Sequence, residues 1–129
     1  ASPMIPGLND AEMEKILEEA AKAGATSAYT TMLRLPHELG ALFTDWLHKY
    51  LPERAAHVLS LIRQSRAGQL NDSQFQSRFA GTGPYAGFMA QRFTRAVQRL
   101  GLNKERYRLD ASQFRIPGRA PASLQLNLF

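Results

Sequence analysis

The chain has 129 residues, of which 44% are apolar and 21% charged, with a formal net charge of +5 and no cysteine. This length suits one globular domain, and the apolar fraction suffices for a hydrophobic core, which argues against wholesale disorder. The absence of cysteine excludes a disulfide framework, a thiolate zinc site and a Cys-ligated iron–sulfur cluster formed by these residues alone. No apolar run approaches the ~20 residues that span a bilayer, and no secretory leader opens the sequence, which predicts a cytoplasmic protein without membrane contact. Because the first residues lack an initiator Met, we expect a piece of a longer chain.

The charges are divided unevenly between the two halves of the chain. Residues 1–60 carry five Lys and Arg against eight acidic residues, whereas residues 61–129 carry eleven against three. A basic half is compatible with a polyanionic partner, because phosphate neutralisation supplies much of the affinity for nucleic acids. An ordinary solvated surface explains the same asymmetry.

The first predicted helix has the most specific boundaries. Asn9 is its predicted N-cap with Glu12 as capping-box partner, and Gly24 stands where a left-handed C′ residue belongs. Residues 26–35 are rich in β-branched and aromatic side chains, which predicts a strand. Because residues 1–7 resemble the end of another strand, the order strand, helix, strand predicts a βαβ unit with parallel pairing.

Apolar stripes and punctuating prolines and glycines predict the later helices. A proline suits the first turn of two of them, and a glycine follows the last. The patterns predict helices over residues 36–50, 52–67, 73–79 and 84–100, followed by an irregular tail after Asp110.

The predicted fold class is therefore an α/β fragment that is mostly helical. Two parallel strands have two open edges and cannot cover the apolar faces of four or five helices. The chain is then either the end of a larger α/β barrel or a mostly helical domain. An open strand edge also favours pairing of two copies into a homodimer.

Few residues form patterns that are typical of catalysis. The histidines, His37, His48 and His57, have no metal-ligand spacing, and no nucleophile elbow, Walker motif or zincin motif occurs. Residues 81–84, Gly-Thr-Gly-Pro, precede a helix, where free N–H groups could bind an anion or form a plain turn with a cap. These observations disfavour a self-contained hydrolase.

A basic stripe lies on the last predicted helix. Arg92, Arg95 and Arg99 recur at three- and four-residue spacing, opposite the apolar face of the helix. Such a stripe could follow the phosphate backbone of DNA, or it is a solvated helix face.

Five segments together resemble the C-terminal third of radical S-adenosylmethionine proteins of the spore photoproduct lyase-like group, often described as DNA repair photolyases. They are MIPGLND at 4–10, LRLPHE at 33–38, HVLSLIRQ at 57–64, GTGPYA at 81–86 and QRF at 91–93. The resemblance covers nearly all of this chain. It does not include the Cys-x3-Cys-x2-Cys loop that binds the [4Fe–4S] cluster of the family, which belongs to an N-terminal part.

The resemblance implies the last βαβ portion of a partial (β/α)6 barrel, with strands ending near residues 7 and 35. It divides the chain into a βαβα portion (1–50), a helical C-terminal extension (51–110) and an irregular tail (111–129). It also implies that the intact protein binds S-adenosylmethionine beside the cluster, with both groups held mainly outside this chain. The residues that match the adenosine-lining positions are Ile5, Gly7, Leu33, Arg34 and Leu35.

The last five residues form a second resemblance. Gln125, Leu126, Leu128 and Phe129, in the peptide QLNLF, resemble the peptide that docks in the hydrophobic groove of the bacterial DNA sliding clamp. Two leucines and a phenylalanine on a polar tail supply anchors for such a pocket. A tail packed on its own domain is the other interpretation.

Two hypotheses follow for the function of the chain. The first is the C-terminal portion of a radical S-adenosylmethionine enzyme that acts on nucleic acid, catalytically inactive alone because it lacks the cluster cysteines. The alternative is a non-catalytic DNA-metabolism interaction domain that uses the basic stripe and the clamp-binding peptide.

Overall fold

The computed structural model describes residues 1–105 and 110–112, and this part of the chain contains four α-helices. The first helix follows a single 3-10 turn. One residue connects the second helix to the third, and a longer loop connects the third to the fourth. Their bounds are α1 Met13–Lys22, α2 Leu39–Tyr50, α3 Pro52–Gln64 and α4 Gly83–Leu100. Helix α1 packs against α4, α2 packs against α3, and α3 also contacts α4.

Two apolar clusters hold these helices together, because each helix places its apolar residues three or four positions apart on one face. The first cluster joins α1 and α4 and comprises Met4, Met13, Leu17, Met32, Met89, Ala96, Val97 and Leu102. The second joins α2 and α3 and comprises Leu35, Leu47, Ala55, Val58, Leu59 and Ile62. The chain segments around residues 4 and 32–35 lie between the two clusters and contribute to both.

The predicted βαβ portion of a barrel is wrong: the described residues are helical, with no strand among them. Residues 1–5 and 29–33 do run in parallel, but they form only one isolated bridge, between Met4 and Met32. The Met4 N–H donates to the carbonyl of Thr31 at 2.8 Å, and the Leu33 N–H donates to the carbonyl of Met4 at 2.9 Å. The next N–H in such a ladder would belong to Pro6, which has none, so the pairing stops after one bridge.

The predicted capping box at the first helix is also wrong. The Asn9 side chain makes no capping bond to the helix. Its Oδ1 instead accepts a hydrogen bond from the Ile5 N–H at 2.7 Å, and its Nδ2 donates to the Pro3 carbonyl at 3.1 Å. Asn9 therefore closes the turn that leads into the helix. Its side chain also occupies the Ile5 N–H, which is then not available to pair with a neighbouring strand.

The later helices agree well with the sequence pattern. Gly101 has φ of 69° and ends α4 in the left-handed conformation, as its position predicted. Residues 73–79 do not form the predicted short helix and instead make turns, in which the Arg78 N–H donates to the carbonyl of Gln74. Asp72 nevertheless caps this segment, because its Oδ1 accepts a hydrogen bond from the Gln74 N–H at 2.8 Å.

The predicted boundary between residues 50 and 51 falls between two helices that pack together. Since α1 also packs against α4, both helix pairs cross this boundary. None of the helices in the described ranges is long and apolar enough to cross a membrane. The predicted homodimer depended on an open strand edge, which the single Met4–Met32 bridge does not provide; dimerisation itself stays a prediction.

Candidate functional site

The structure brings the two predicted adenosine-lining segments together. Ile5 and Gly7 follow Met4, and Leu33 donates its N–H to the Met4 carbonyl, so the two segments meet at their beginnings, before the first one turns at Pro6. The Ile5, Leu33 and Leu35 side chains pack on the α2–α3 cluster, where Leu35 is buried. These three side chains therefore belong to the hydrophobic core between α2 and α3, and their backbone lies at the edge of that core.

Gly7 is fixed by its surroundings. Its φ is +70°, and an added Cβ would lie 3.0 Å from Leu61 Cδ1 and 3.2 Å from His57 Cδ2. Its carbonyl accepts a hydrogen bond from Arg54 Nη2 at 2.6 Å. Both the left-handed backbone and the close approach of α3 require glycine here, so the presence of glycine at position 7 does not need a bound ligand to explain it.

The Arg34 side chain, predicted to line the adenosine, lies in a cluster that was not predicted from the sequence. We call it the Arg–Phe cluster, and its members are Arg34, Arg66, Phe75, Arg78 and Phe79. The Arg34 guanidinium carbon lies 5.2 Å from the centre of the Phe79 ring. The Arg78 guanidinium carbon lies 4.6 Å from the Phe75 ring and 4.7 Å from the Phe79 ring. The spacing Phe-x-x-Arg-Phe at 75–79 was the available signal, because residues three and four apart share one side of a turn.

Arg66 forms the base of the Arg–Phe cluster. It is 2% exposed, and its guanidinium donates to four backbone carbonyls rather than to a carboxylate. Nη1 donates to Ser77 at 3.1 Å and Arg78 at 2.8 Å. Nη2 donates to Met32 at 3.4 Å and Leu33 at 2.8 Å. This one side chain therefore joins the extended segment, the end of α3 and the turns at 73–79.

The electrostatics of the Arg–Phe cluster are dominated by its three arginines. Burial lowers the pKa of Arg66, the charge of Asp72 opposes this effect, and the charge of Arg34 adds to it. The pKa of Asp72 is lowered mainly by a hydrogen bond from the Ser77 hydroxyl and then by the Gln74 N–H. Asp72 is the acidic group that influences the cluster, and its two oxygens already accept these bonds.

The basic stripe is largely neutralised by α1. Arg92 donates from Nε and Nη2 to the two carboxylate oxygens of Glu14, at 2.8 and 2.5 Å. Arg99 Nη2 lies 2.5 Å from Glu18 Oε1. Arg95 is exposed and makes no ion pair within the described part of the chain. Two of the three stripe arginines thus hold α4 to α1, and DNA contact by the stripe stays a prediction.

The Arg92–Glu14 pair predicts a pH-dependent contribution to stability. The hydrogen bond from Arg92 lowers the pKa of Glu14 below its ordinary value of 4.5. A carboxylate whose pKa is lowered by folding stabilises the fold above its unfolded pKa, and this contribution is lost as the pH falls through the folded pKa. We expect Glu14→Gln to cost about 1 kcal/mol at neutral pH, and nothing below the folded pKa of Glu14.

Urea unfolding at pH 7 and at a series of acidic pH values measures this difference. Glu19→Gln is the matched control, because among the described residues Glu19 pairs with Lys22 alone, on the surface of the same helix. Its expected effect is about 0.3 kcal/mol. A Glu14→Gln cost that persisted unchanged at acidic pH would contradict the assignment.

Tyr85 and Asp10 form a further link between the start of α1 and α4. The Tyr85 hydroxyl donates to Asp10 Oδ2. Burial, followed by this hydrogen bond, raises the pKa of Tyr85 to about 12. The hydroxyl therefore stays protonated at neutral pH and acts as a hydrogen-bond donor.

Residues 81–84 adopt the plain turn rather than an anion cradle. The Gly81 N–H donates to the Ser77 carbonyl at 2.8 Å, and the Thr82 N–H donates to the Ser65 carbonyl at 2.9 Å. A Cβ on Gly83 would lie 2.8 Å from the Gln64 carbonyl oxygen. The N–H groups of Gly81 and Thr82 are thus used within the fold, and Gly83 permits the close approach to α3.

Two cavities lie near these groups. An apolar groove of about 290 Å³ runs between the extended segment and α4 and is lined mainly by Met4, Met32, Met89 and Phe93. A more polar cleft of about 620 Å³ lies beside Arg66, Leu35 and Asp72. Within the described ranges no three His, Cys, Asp or Glu side chains are grouped to hold a metal ion.

The predicted clamp-binding residues Gln125, Leu126, Leu128 and Phe129 lie outside the described residues, and clamp binding stays a prediction. No family model matches the chain, and comparisons with curated proteins and with solved structures also give no match.

Proposed function

We propose that this chain is the C-terminal portion of a radical S-adenosylmethionine enzyme, and that it is inactive alone. The observation that supports the proposal is the parallel bridge between Met4 and Met32, which brings the beginnings of segments 4–7 and 33–35 together. These two segments are separated by α1 in the chain, and both were expected to border the adenosine.

The residues present fit an adenosine in a limited way. Ile5 and Leu33 are half-buried, so their outer surfaces can contact an apolar ring, while Leu35 holds the segment in the core. In this proposal residues 4–7 and 33–35 position the nucleoside and exclude water from one side of it, and Gly7 keeps the turn close to α3.

The iron–sulfur cluster does not fit this chain, because all of its ligating cysteines would have to come from other residues. When bound to the intact enzyme, the cluster supplies the electron that cleaves S-adenosylmethionine to a radical able to abstract hydrogen from a substrate. Such oxygen-sensitive chemistry suits the reducing cytoplasm, where we place the protein. Nucleic acid is the substrate class that the resemblance suggests.

The reading frame upstream of Ala1 provides the first test. We expect it to encode a Cys-x3-Cys-x2-Cys triplet, and the protein encoded by the whole frame to release 5′-deoxyadenosine after anaerobic reconstitution with iron, sulfide and a reductant. Changing the three cysteines to alanine should reduce this release to the background level.

The 129-residue chain, treated identically, should show no absorption from a cluster. A reading frame that starts at Ala1, or a stable cluster on these 129 residues, would contradict the proposal. Release of 5′-deoxyadenosine that survived the triple cysteine change would contradict it equally.

A further inference from the structure

The outer side of the Arg–Phe cluster exposes an unusual amount of aromatic surface. Phe75 is 79% exposed and Phe79 is 44% exposed, and both belong to the turns that precede α4. A single exposed apolar residue needs no explanation, but two adjacent phenylalanines stacked with guanidinium groups form a continuous surface. Arg66 holds the backbone of this surface in place through the carbonyls of Ser77 and Arg78.

The charge of this surface is strongly positive. Arg34, Arg66 and Arg78 converge there, and the single nearby carboxylate, Asp72, offsets one of these three positive charges. No ion pair involves these three arginines within the part of the chain that the structure describes. The Nε atoms of Arg34 and Arg78 are buried and lack a hydrogen-bond partner there. Because a buried Nε cannot reach a ligand from solvent, an external oxyanion would bind the remaining guanidinium N–H groups, which have no carboxylate partner in the described residues.

We propose that the Arg–Phe cluster binds single-stranded nucleic acid. A base would stack on the exposed face of Phe75, while the guanidinium groups of Arg34 and Arg78 would donate to the flanking phosphates. A strand with unpaired bases is the polyanion that uses both features, because a duplex keeps its bases stacked inside and an inorganic phosphate leaves the phenyl rings unused. The inference does not depend on radical chemistry, so a failure of strand binding would not contradict the proposed enzyme class, and the reverse also holds.

The Arg–Phe cluster is a better site for a strand than the basic stripe. Arg92 and Arg99 are paired with carboxylates of α1, and binding of phosphate would have to break those pairs. Arg34 and Arg78 have no such pairs to break in the described residues. The proposal therefore moves the expected nucleic-acid contact from α4 to the turns at 73–79.

Fluorescence anisotropy of a labelled oligothymidine with the full 129-residue chain tests the proposal. We expect Phe75→Ala to weaken binding about 5- to 150-fold, the range observed when one base loses an aromatic partner. Arg78→Ala should weaken binding and lower the slope of log affinity against log salt by about 0.7, the value for one phosphate of a single strand. Because Phe75 is largely exposed, its replacement should leave the helical circular dichroism and the melting temperature unchanged.

Two matched controls separate the Arg–Phe cluster from general effects. Phe88→Ala removes an exposed phenylalanine on α4, and Arg63→Ala removes an exposed arginine on α3; neither should change the affinity by more than about twofold. Arg95→Ala tests the basic stripe and should behave like these controls. The same DNA as a duplex should bind more weakly and should not respond to Phe75→Ala.

Several outcomes would overturn the proposal. Unchanged affinity in folded Phe75→Ala would show that no base stacks on that ring. A larger loss in Arg95→Ala than in Arg78→Ala would place the contact on the stripe. Equal binding of inorganic polyphosphate and oligothymidine, with no effect of Phe75→Ala on either, would leave only a nonspecific anion site. Absence of any binding at low salt would reject the proposal outright.

Discussion

Arg66→Met is expected to destabilise the fold by about 3 kcal/mol or more. The substitution keeps much of the side-chain volume but leaves the carbonyls of Met32, Leu33 and Arg78 without their donor, while the Ser77 carbonyl retains the N–H of Gly81. A buried acceptor that loses its partner costs about 1–3 kcal/mol, and bonds from a charged donor are at the upper end of the usual range. Urea unfolding monitored by circular dichroism measures the change in the free energy of unfolding.

Two comparisons make this prediction specific to the hydrogen bonds. Arg66→Lys retains the charge but cannot present the planar donor fork, so we expect it to recover only part of the lost stability. Arg63→Ala removes an exposed arginine from the last turn of α3 and should change stability by no more than about 0.5 kcal/mol. A cost below 1 kcal/mol for Arg66→Met would show that water replaces the guanidinium at these carbonyls.

Leu47→Ala is expected to cost about 2–5 kcal/mol, the range for removing a fully buried leucine side chain. Leu47 is 0% exposed and is the large side chain by which α2 enters the cluster shared with α3. The loss removes apolar contact and leaves a cavity, because helices joined by the single residue Leu51 cannot easily move together to fill it. Thermal and urea unfolding both measure the effect.

Leu42→Ala is the control on the same helix. Leu42 is 59% exposed, so the substitution should change the free energy of unfolding by no more than about 0.5 kcal/mol. The contrast between two leucines on one helix separates burial from helix propensity, because the propensity change is identical. Similar effects of the two substitutions would mean that the outer face of α2 is covered in solution.

The helices that were predictable from the sequence are those whose signals are local. The apolar stripe of α2, the Pro52 start of α3 and Gly101 after α4 each depend on residues within one or two turns of each other. Such signals act in the folded and the nascent chain alike. They located the three longer helices correctly.

The strand prediction failed because pairing is not a local property. Residues 26–35 have strand composition and part of the segment is extended, but Pro6 lacks the N–H that would continue the ladder from Met4. The Asn9 cap failed for a related reason, because the Ile5 N–H was a competing donor close enough to bind its side chain. Neither the missing N–H of Pro6 nor the competing N–H of Ile5 has a visible effect when each segment is considered alone.

The candidate site was only partly predictable for the same reason. Met4 and Met32 do meet in parallel, but the described residues do not form the two paired strands that the order of segments predicted. The Arg–Phe cluster was not predictable, because it joins Arg34, Arg66 and Phe79 from three separate parts of the chain. The pairing of Arg92 with Glu14 likewise depends on the packing of α1 on α4, which no spacing along α4 could reveal.

The way Arg66 is held has a consequence for the long-range electric field of the molecule. Carbonyl dipoles solvate a guanidinium without cancelling its monopole, so the charge of Arg66 adds to those of Arg34 and Arg78, and the carboxylate of Asp72 offsets one of the three. Carboxylates, by contrast, turn Arg92 and Arg99 into dipoles whose potential decays quickly. We therefore expect an approaching polyanion to be guided toward the turns before α4, although α4 itself is rich in arginine.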